Sequence, residues 1–200
     1  PSSKWTINFG FNALFFTLNN TYSIDPRVAF RFKPFKKTTL TLAYGIHSRI
    51  LPIGTYMLDI PDTISGLTSK PNMNLDVIKM HHVVLGYQQV IGSGFRTNLE
   101  LYYQQGWNVP IEADSSSSFS LFNQRDGYGM VPMVSLGESR NYGIDLSVEK
   151  AFSKNYFVLV TGSLFWSQYK ALNSTEWQRT RVDKRWSSSV LAGYEINFKK

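Results

Sequence analysis

Three histidines, His47, His81 and His82, are the side chains of this 200-residue chain best suited to proton transfer or metal ligation near neutral pH. Successive residues of an extended strand point to opposite faces, so His81 and His82 cannot both grip one ion, and His47 is remote from them in sequence. The same alternation separates His47 from the hydroxyl of Ser48, which counts against a serine esterase. Asp145 and Glu149 share one face of a single run. Four residues at about 3.3 Å each set them about 13 Å apart, too far for a paired acid and base unless another strand supplies a partner. They read instead as charges on a polar wall, opposed by Arg27 or Arg96. Gly92-Ser93-Gly94 and Gly127-Tyr128-Gly129 lack the strand-to-helix setting of a phosphate loop and read as turns. The sequence holds no cysteine, so neither disulfides nor thiolate chemistry is available. No catalytic set, metal site or cofactor site emerges, and a non-enzyme is expected.

Most of the elements that carry these residues alternate in a nearly clean period of two. From Ser139 to Tyr169 two runs flank Ser153-Lys154-Asn155 as a β-hairpin. Tyr142, Ile144, Leu146, Val148, Lys150 and Phe152 share one face of the first arm. Tyr156, Val158, Val160, Gly162, Leu164 and Trp166 share one face of the second. Each apolar face begins and ends on an aromatic ten residues apart. At about 3.3 Å per residue and a tilt of about 40°, ten residues climb about 25 Å, the height of the apolar band between the two aromatic girdles of a membrane β-barrel.

Six further strands are expected over 4–18, 21–33, 38–50, 75–91, 95–107 and 185–198, giving eight. Pro26 should cost one ladder hydrogen bond and bring a bulge or local break. The run 75–91 alternates weakly, with Val83, Leu85 and Tyr87 assigned outward. The expected turns Pro34 to Lys37, Gly92 to Gly94 and Ser153 to Asn155 are short and fall at one end. At the other end Leu51 to Asn74, Val109 to Glu138 and Lys170 to Lys184 are long, with Ser115 to Ser118 a low-complexity run. Short turns on the periplasmic side and long loops outside is the plan of outer-membrane barrels.

Composition agrees. The chain is 42% hydrophobic and 15% aromatic, which excludes a disordered polypeptide. The densest apolar run, Ala13 to Leu18, falls far short of the roughly 20 residues a membrane-spanning helix needs. Much of the net charge of +7 sits on lysines at strand ends and turns, so no nucleic-acid patch is implied. A soluble lipocalin-like barrel would carry the same alternation with its apolar face inward and its exterior crowded with Lys and Glu. Here the polar face is mostly Asn, Ser, Thr, Gly and Ala, with Arg27, Arg31, His47, Arg49, Arg96, Glu100, Asp145 and Glu149 as candidate lumen-lining residues. Trp107, Tyr128, Trp177, Arg179 and Arg181 are candidate contacts in the extracellular loops, where recognition concentrates.

The succession IDPRVAFRF (Ile24 to Phe32), TTLTLAYGIHS (Thr38 to Ser48), HHVVLGYQQ (His81 to Gln89), LELYYQQGWNVP (Leu99 to Pro110), RNYGIDLSVEKAF (Arg140 to Phe152) and TGSLFWSQYK (Thr161 to Lys170) resembles the C-terminal barrel half of TonB-dependent outer-membrane receptors. The resemblance implies an all-β antiparallel up-and-down meander of about eight long strands, forming one segment of a larger transmembrane barrel across residues 1–200. It implies a bacterial outer-membrane protein that meets lipid and imports a carbohydrate, peptide or metal chelate. Such barrels have 22 strands and a plug domain that contacts TonB. Neither a plug nor a TonB-contacting box is recognisable here, so this chain is expected to be a fragment that meets TonB only through the missing plug region.

Overall fold

A computed structural model describes residues 4–61, 67–92, 94–124 and 127–198. The expected turn residue Ser93 and the terminal Lys199-Lys200 lie outside the described residues, as do parts of the first two long connections.

The main sheet is an antiparallel meander. Its long strands are β1 (Trp5–Phe16), β2 (Thr21–Phe35), β3 (Thr38–Arg49), β6 (Ile78–Ile91), β7 (Phe95–Glu112), β8 (Met133–Ser153), β9 (Tyr156–Lys170) and β11 (Arg185–Tyr194). Short pieces complete the set: helix α1 (Ile53–Tyr56), the pair β4 (Ile60–Pro61) and β5 (Thr68–Ser69), and β10 (Gln178–Arg179), which joins β9 just above β11. Each long strand pairs with the next, and β1 and β11 form the two edges. None of the described helices is long and apolar enough to cross a membrane.

Register sorts the side chains into two faces. Cross-strand partners run Arg31, Thr41, Gly86, Glu100, Asp145 and Ser163 on the polar face, and Val28, Tyr44, Val83, Tyr103, Tyr142 and Trp166 on the apolar one. The apolar face is the one left bare: Phe9 is 88%, Leu42 51% and Val190 71% exposed. A lipocalin-like barrel would turn this face into its core, so the faces have the membrane-barrel sense. Near the loop end, aromatic rings touch in sequence around the outside. Tyr103 stacks on Tyr142 at 6.5 Å, and Tyr142 on Trp166 at 5.3 Å.

Several boundaries differ from the sequence reading. The expected loop from Val109 to Glu138 is shorter, because β7 runs on to Glu112 and β8 starts at Met133. The expected strand over 75–91 begins at Ile78, since Leu75 and Val77 are drawn into a core outside the sheet. Weak alternation in β6 has a cause: inward Ile78 and Met80 face an apolar hollow, not open water. The last strand ends at Tyr194 in place of Phe198. The Pro34 to Lys37 turn contracts to Lys36-Lys37, with a register shift between Phe32 and Phe35.

Pro26 gives a break without a bulge. It pairs with Phe11 in unbroken β1–β2 register, while the β2–β3 ladder stops at Arg27, opposite Gly45. The neighbouring Asp25 carboxylate repairs the gap. It accepts from Ser48 N–H at 3.1 Å and Ser48 Oγ at 2.7 Å, from Ser23 Oγ at 2.7 Å and from Asn12 Nδ2 at 3.3 Å.

The β8–β9 turn has two residues, Lys154 and Asn155, in place of three, and both have positive φ, 54° and 66°. Those values suit a type I′ turn, whose twist matches the flanking strands. Outward Lys150 folds its ammonium back over this turn, donating to Ser153 O at 2.7 Å and Tyr156 O at 3.0 Å. A branched side chain is strained in the left-handed region, so Asn155→Val should cost about 1–2 kcal/mol while Asn155→Gly should be near neutral. Urea unfolding in lipid vesicles reads the difference, and equal midpoints would refute the turn assignment.

The loop end is not a set of free connections. Phe16, Leu51, Tyr56, Leu75, Ile78, Leu121 and Met133 pack into one buried cluster. Buried polar groups pin it: Asn72 accepts from Met133 N–H at 2.8 Å and donates to Val131 O at 3.0 Å, and Gly129 N–H donates to Thr55 Oγ1 at 3.0 Å. The first two long connections therefore fold together as a cap.

Candidate functional site

Where the cap meets the polar face of the sheet, a cavity of about 590 Å³ opens. The sheet contributes His47, Arg49, Ile78 and Met80, and the cap contributes Pro52, Leu121, Phe122 and Gln124. β3 and β6 bring their four residues together because Arg49 pairs with Ile78 and His47 with Met80. An apolar hollow with one guanidinium and one imidazole can hold a ligand that is part apolar and part anionic or hydrogen-bonding.

Below the mouth, the charges separate by sector. Arg27, Arg31 and Lys33 alternate along β2 on the polar face, while Glu100 of β7 stands opposite Asp145 of β8. Between the sectors Gly86 leaves a hollow of about 390 Å³, bordered by Arg31 and Lys33 on one side and Glu100 on the other. The partner that Asp145 lacked within its own strand is thus a second carboxylate, that of Glu100 across the ladder. Asn98 Nδ2 donates to Glu100 at 3.4 Å. Arg96 does oppose Glu149, at 3.8 Å, in a half-exposed pair of small energetic weight. Arg27 does not oppose Asp145, because β3, β6 and β7 lie between their strands.

All eight candidate lumen residues fall on the polar face by register. The histidines divide as alternation requires, with one addition. His82 pairs with Gly45, two residues from His47, and the two rings lie 5.7 Å apart, so remoteness in sequence did not mean remoteness in space. No cluster of three or more metal-ligating side chains occurs among the described residues. His81 faces outward with its Nδ1 2.9 Å from Tyr44 Oη, in the aromatic row.

The loop candidates fare differently. Trp107 is not in a loop: it lies in β7, on the outer face, 4.6 Å from the His81 ring. Tyr128 is in the cap and half-exposed, its ring against Gly54. Trp177 lies in the third connection between two cations, with Arg140 Cζ 4.2 Å and Lys170 Nζ 4.9 Å from its ring centre. Arg179 is engaged by the buried Asp183 carboxylate at 2.8 Å, which leaves its charge largely compensated. The Arg181 N–H donates to Asn123 Oδ1 at 2.9 Å, joining the third connection to the cap. Sequence reasoning missed the cavity residues Met80, Leu121 and Phe122. Only the interruption of β6 alternation by Ile78 and Met80 pointed to them.

No protein-family model matches the chain, and no curated protein matches it. Among solved structures it is similar to the FrpB iron transporter from Neisseria meningitidis (F3-3 variant), at a TM-score of 0.58 and 10% identity over 95% of this chain. The match occupies 28% of that protein, so the present chain spans little more than a quarter of its length. At such low identity the likeness establishes the fold alone, an antiparallel up-and-down meander of long strands.

Proposed function

We propose that this chain forms part of the wall and outer cap of a bacterial outer-membrane barrel that takes up a scarce nutrient, as TonB-dependent receptors do. The observation that carries this reading is a continuous bare apolar face bounded by aromatics, backed by a polar face whose mouth the cap covers. Cargo would bind and pass through without being chemically altered. TonB would act through a plug region inside the barrel. The name of the similar structure suggests iron-bearing cargo. Arg27, Arg31, Lys33 and Arg49 favour an anionic one, such as a carboxylate-rich or phosphorylated compound or an anionic metal chelate.

Orientation gives the test. A cysteine at Ser115 in the cap or at Thr175 in the third connection should react with a membrane-impermeant thiol reagent on intact cells, while one at Lys154 in the β8–β9 turn should not. The reverse pattern would overturn the topology, and with it the assignment of the cap to substrate capture. A chain that stays folded and monomeric without detergent would overturn the membrane reading itself.

A further inference from the structure

The outer face carries a second constellation just beyond the aromatic row, and the lumen has no use for it. Tyr142 and Trp166 stack at 5.3 Å and mark the upper edge of the apolar band. Arg140 lies two residues above Tyr142 on β8, and its cross-strand partner is Gln168 of β9. Lys170 lies two residues beyond Gln168, so both cations share the outward parity of the belt. Two residues along a tilted strand rise about 5 Å, which places Arg140 in the roughly 6 Å interfacial layer outside the hydrocarbon.

Their side chains are held in place. Arg140 Nε donates to Gln168 Oε1 at 2.7 Å, which fixes the guanidinium. Its Cζ lies 4.2 Å from the Trp177 ring centre, and the Lys170 ammonium approaches the same ring at 4.9 Å. Neither cation has a carboxylate within ion-pair distance among the described residues; Glu138, opposite Lys170 in register, forms no such pair. By contrast Arg179 and Arg185 are both committed to Asp183, at 2.8 and 3.5 Å. Two cations around one indole, neither of them in an ion pair among the described residues, on a lipid-facing wall near headgroup height, complement an anion that membrane lipid brings to that depth.

We infer that Arg140, Lys170 and Trp177 form a binding site for the phosphate of a phosphorylated glycolipid headgroup in the outer leaflet. The guanidinium offers its free terminal amines to two phosphate oxygens, Lys170 adds a point charge, and Trp177 seats the sugar beneath. The inference rests on the membrane-barrel reading.

The test titrates the protein in zwitterionic detergent with diphosphorylated lipid A and with its dephosphorylated form, counting bound lipid by native mass spectrometry. The phosphorylated form should be preferred at least fivefold. R140Q combined with K170Q should lose about tenfold in affinity for it, while K36Q combined with K37Q, at the opposite end of the wall, should lose little. No preference for phosphate, an unaffected site variant, or an equal loss in the control pair would overturn the site. A parallel measurement separates the two readings: lipids brominated on their tails should quench wall tryptophans such as Trp186. Absent quenching would sink the membrane reading, whereas quenching without phosphate preference would sink this site alone. Unchanged circular dichroism of the site variant excludes misfolding as the cause of its loss.

Discussion

Leu146→Arg should destabilise the folded sheet in lipid by about 2–4 kcal/mol, and Ser147→Arg should cost much less. The two residues are adjacent on β8 and differ in face. Leu146 lies in the outward row Leu99, Leu146, Gly162, four residues below Tyr142 and six above Phe152 in sequence, close to the middle of the apolar band. A guanidinium there must be desolvated in hydrocarbon or bend several ångströms to reach water. Ser147 lies in the row Asn98, Ser147, Thr161 on the polar face, where a charge remains hydrated. Unfolding midpoints in phosphatidylcholine vesicles measure both. Equal losses would mean the faces have been assigned backwards, and equal tolerance would mean that no lipid touches the wall.

The faces were legible because period-two alternation is a direct consequence of strand geometry and needs no tertiary information. Tyr142 to Phe152 and Tyr156 to Trp166 carried most of it. What alternation cannot report is which strands become neighbours in detail. Glu100 meets Asp145, and His47 approaches His82, only through the register of the intervening ladders, which is set by turn lengths and bulges. Trp107 closes the expected strand 95–107 and was counted among the loop contacts, with Asn108 and Pro110 following it. In the fold β7 absorbs them at two register shifts, with Asn108 at a positive φ of 56°. Alternation put the charged candidates on the polar face one by one, whereas their division into a basic and an acidic sector depended on strand order. The cavity at the mouth was invisible for a further reason: half of its lining comes from connections with no periodicity, whose order arises from packing on each other.

That packing yields the second large effect. Tyr56→Ala should remove about 3–5 kcal/mol from the cap while leaving the strands nearly untouched. Tyr56 is wholly buried, its ring is 4.9 Å from Phe16, and its hydroxyl accepts a hydrogen bond from Leu51 N–H at 3.3 Å. Truncation would leave a hole among residues from four separate chain segments. Apart from this cluster the cap is held by scattered hydrogen bonds, those of Asn72 and Thr55 together with Asn19 Nδ2 to Leu75 O at 2.8 Å and Asn123 Nδ2 to Tyr169 Oη at 2.9 Å, and not by a long ladder. The long strands are tied instead by their ladders, so the cost should appear as local opening. Amide exchange at Gly129 and Met133, whose N–H groups donate to Thr55 and Asn72, should accelerate by at least about a hundredfold, with Leu101 and Ile144 in mid-wall unchanged. Tyr56→Phe keeps the ring and should cost only about 1 kcal/mol. Uniform acceleration across cap and wall would show that the cap is an inseparable part of the sheet. Cap-restricted acceleration would mark it as a unit that can open over the cavity, since Leu51 and Leu121 belong to both the buried cluster and the cavity wall.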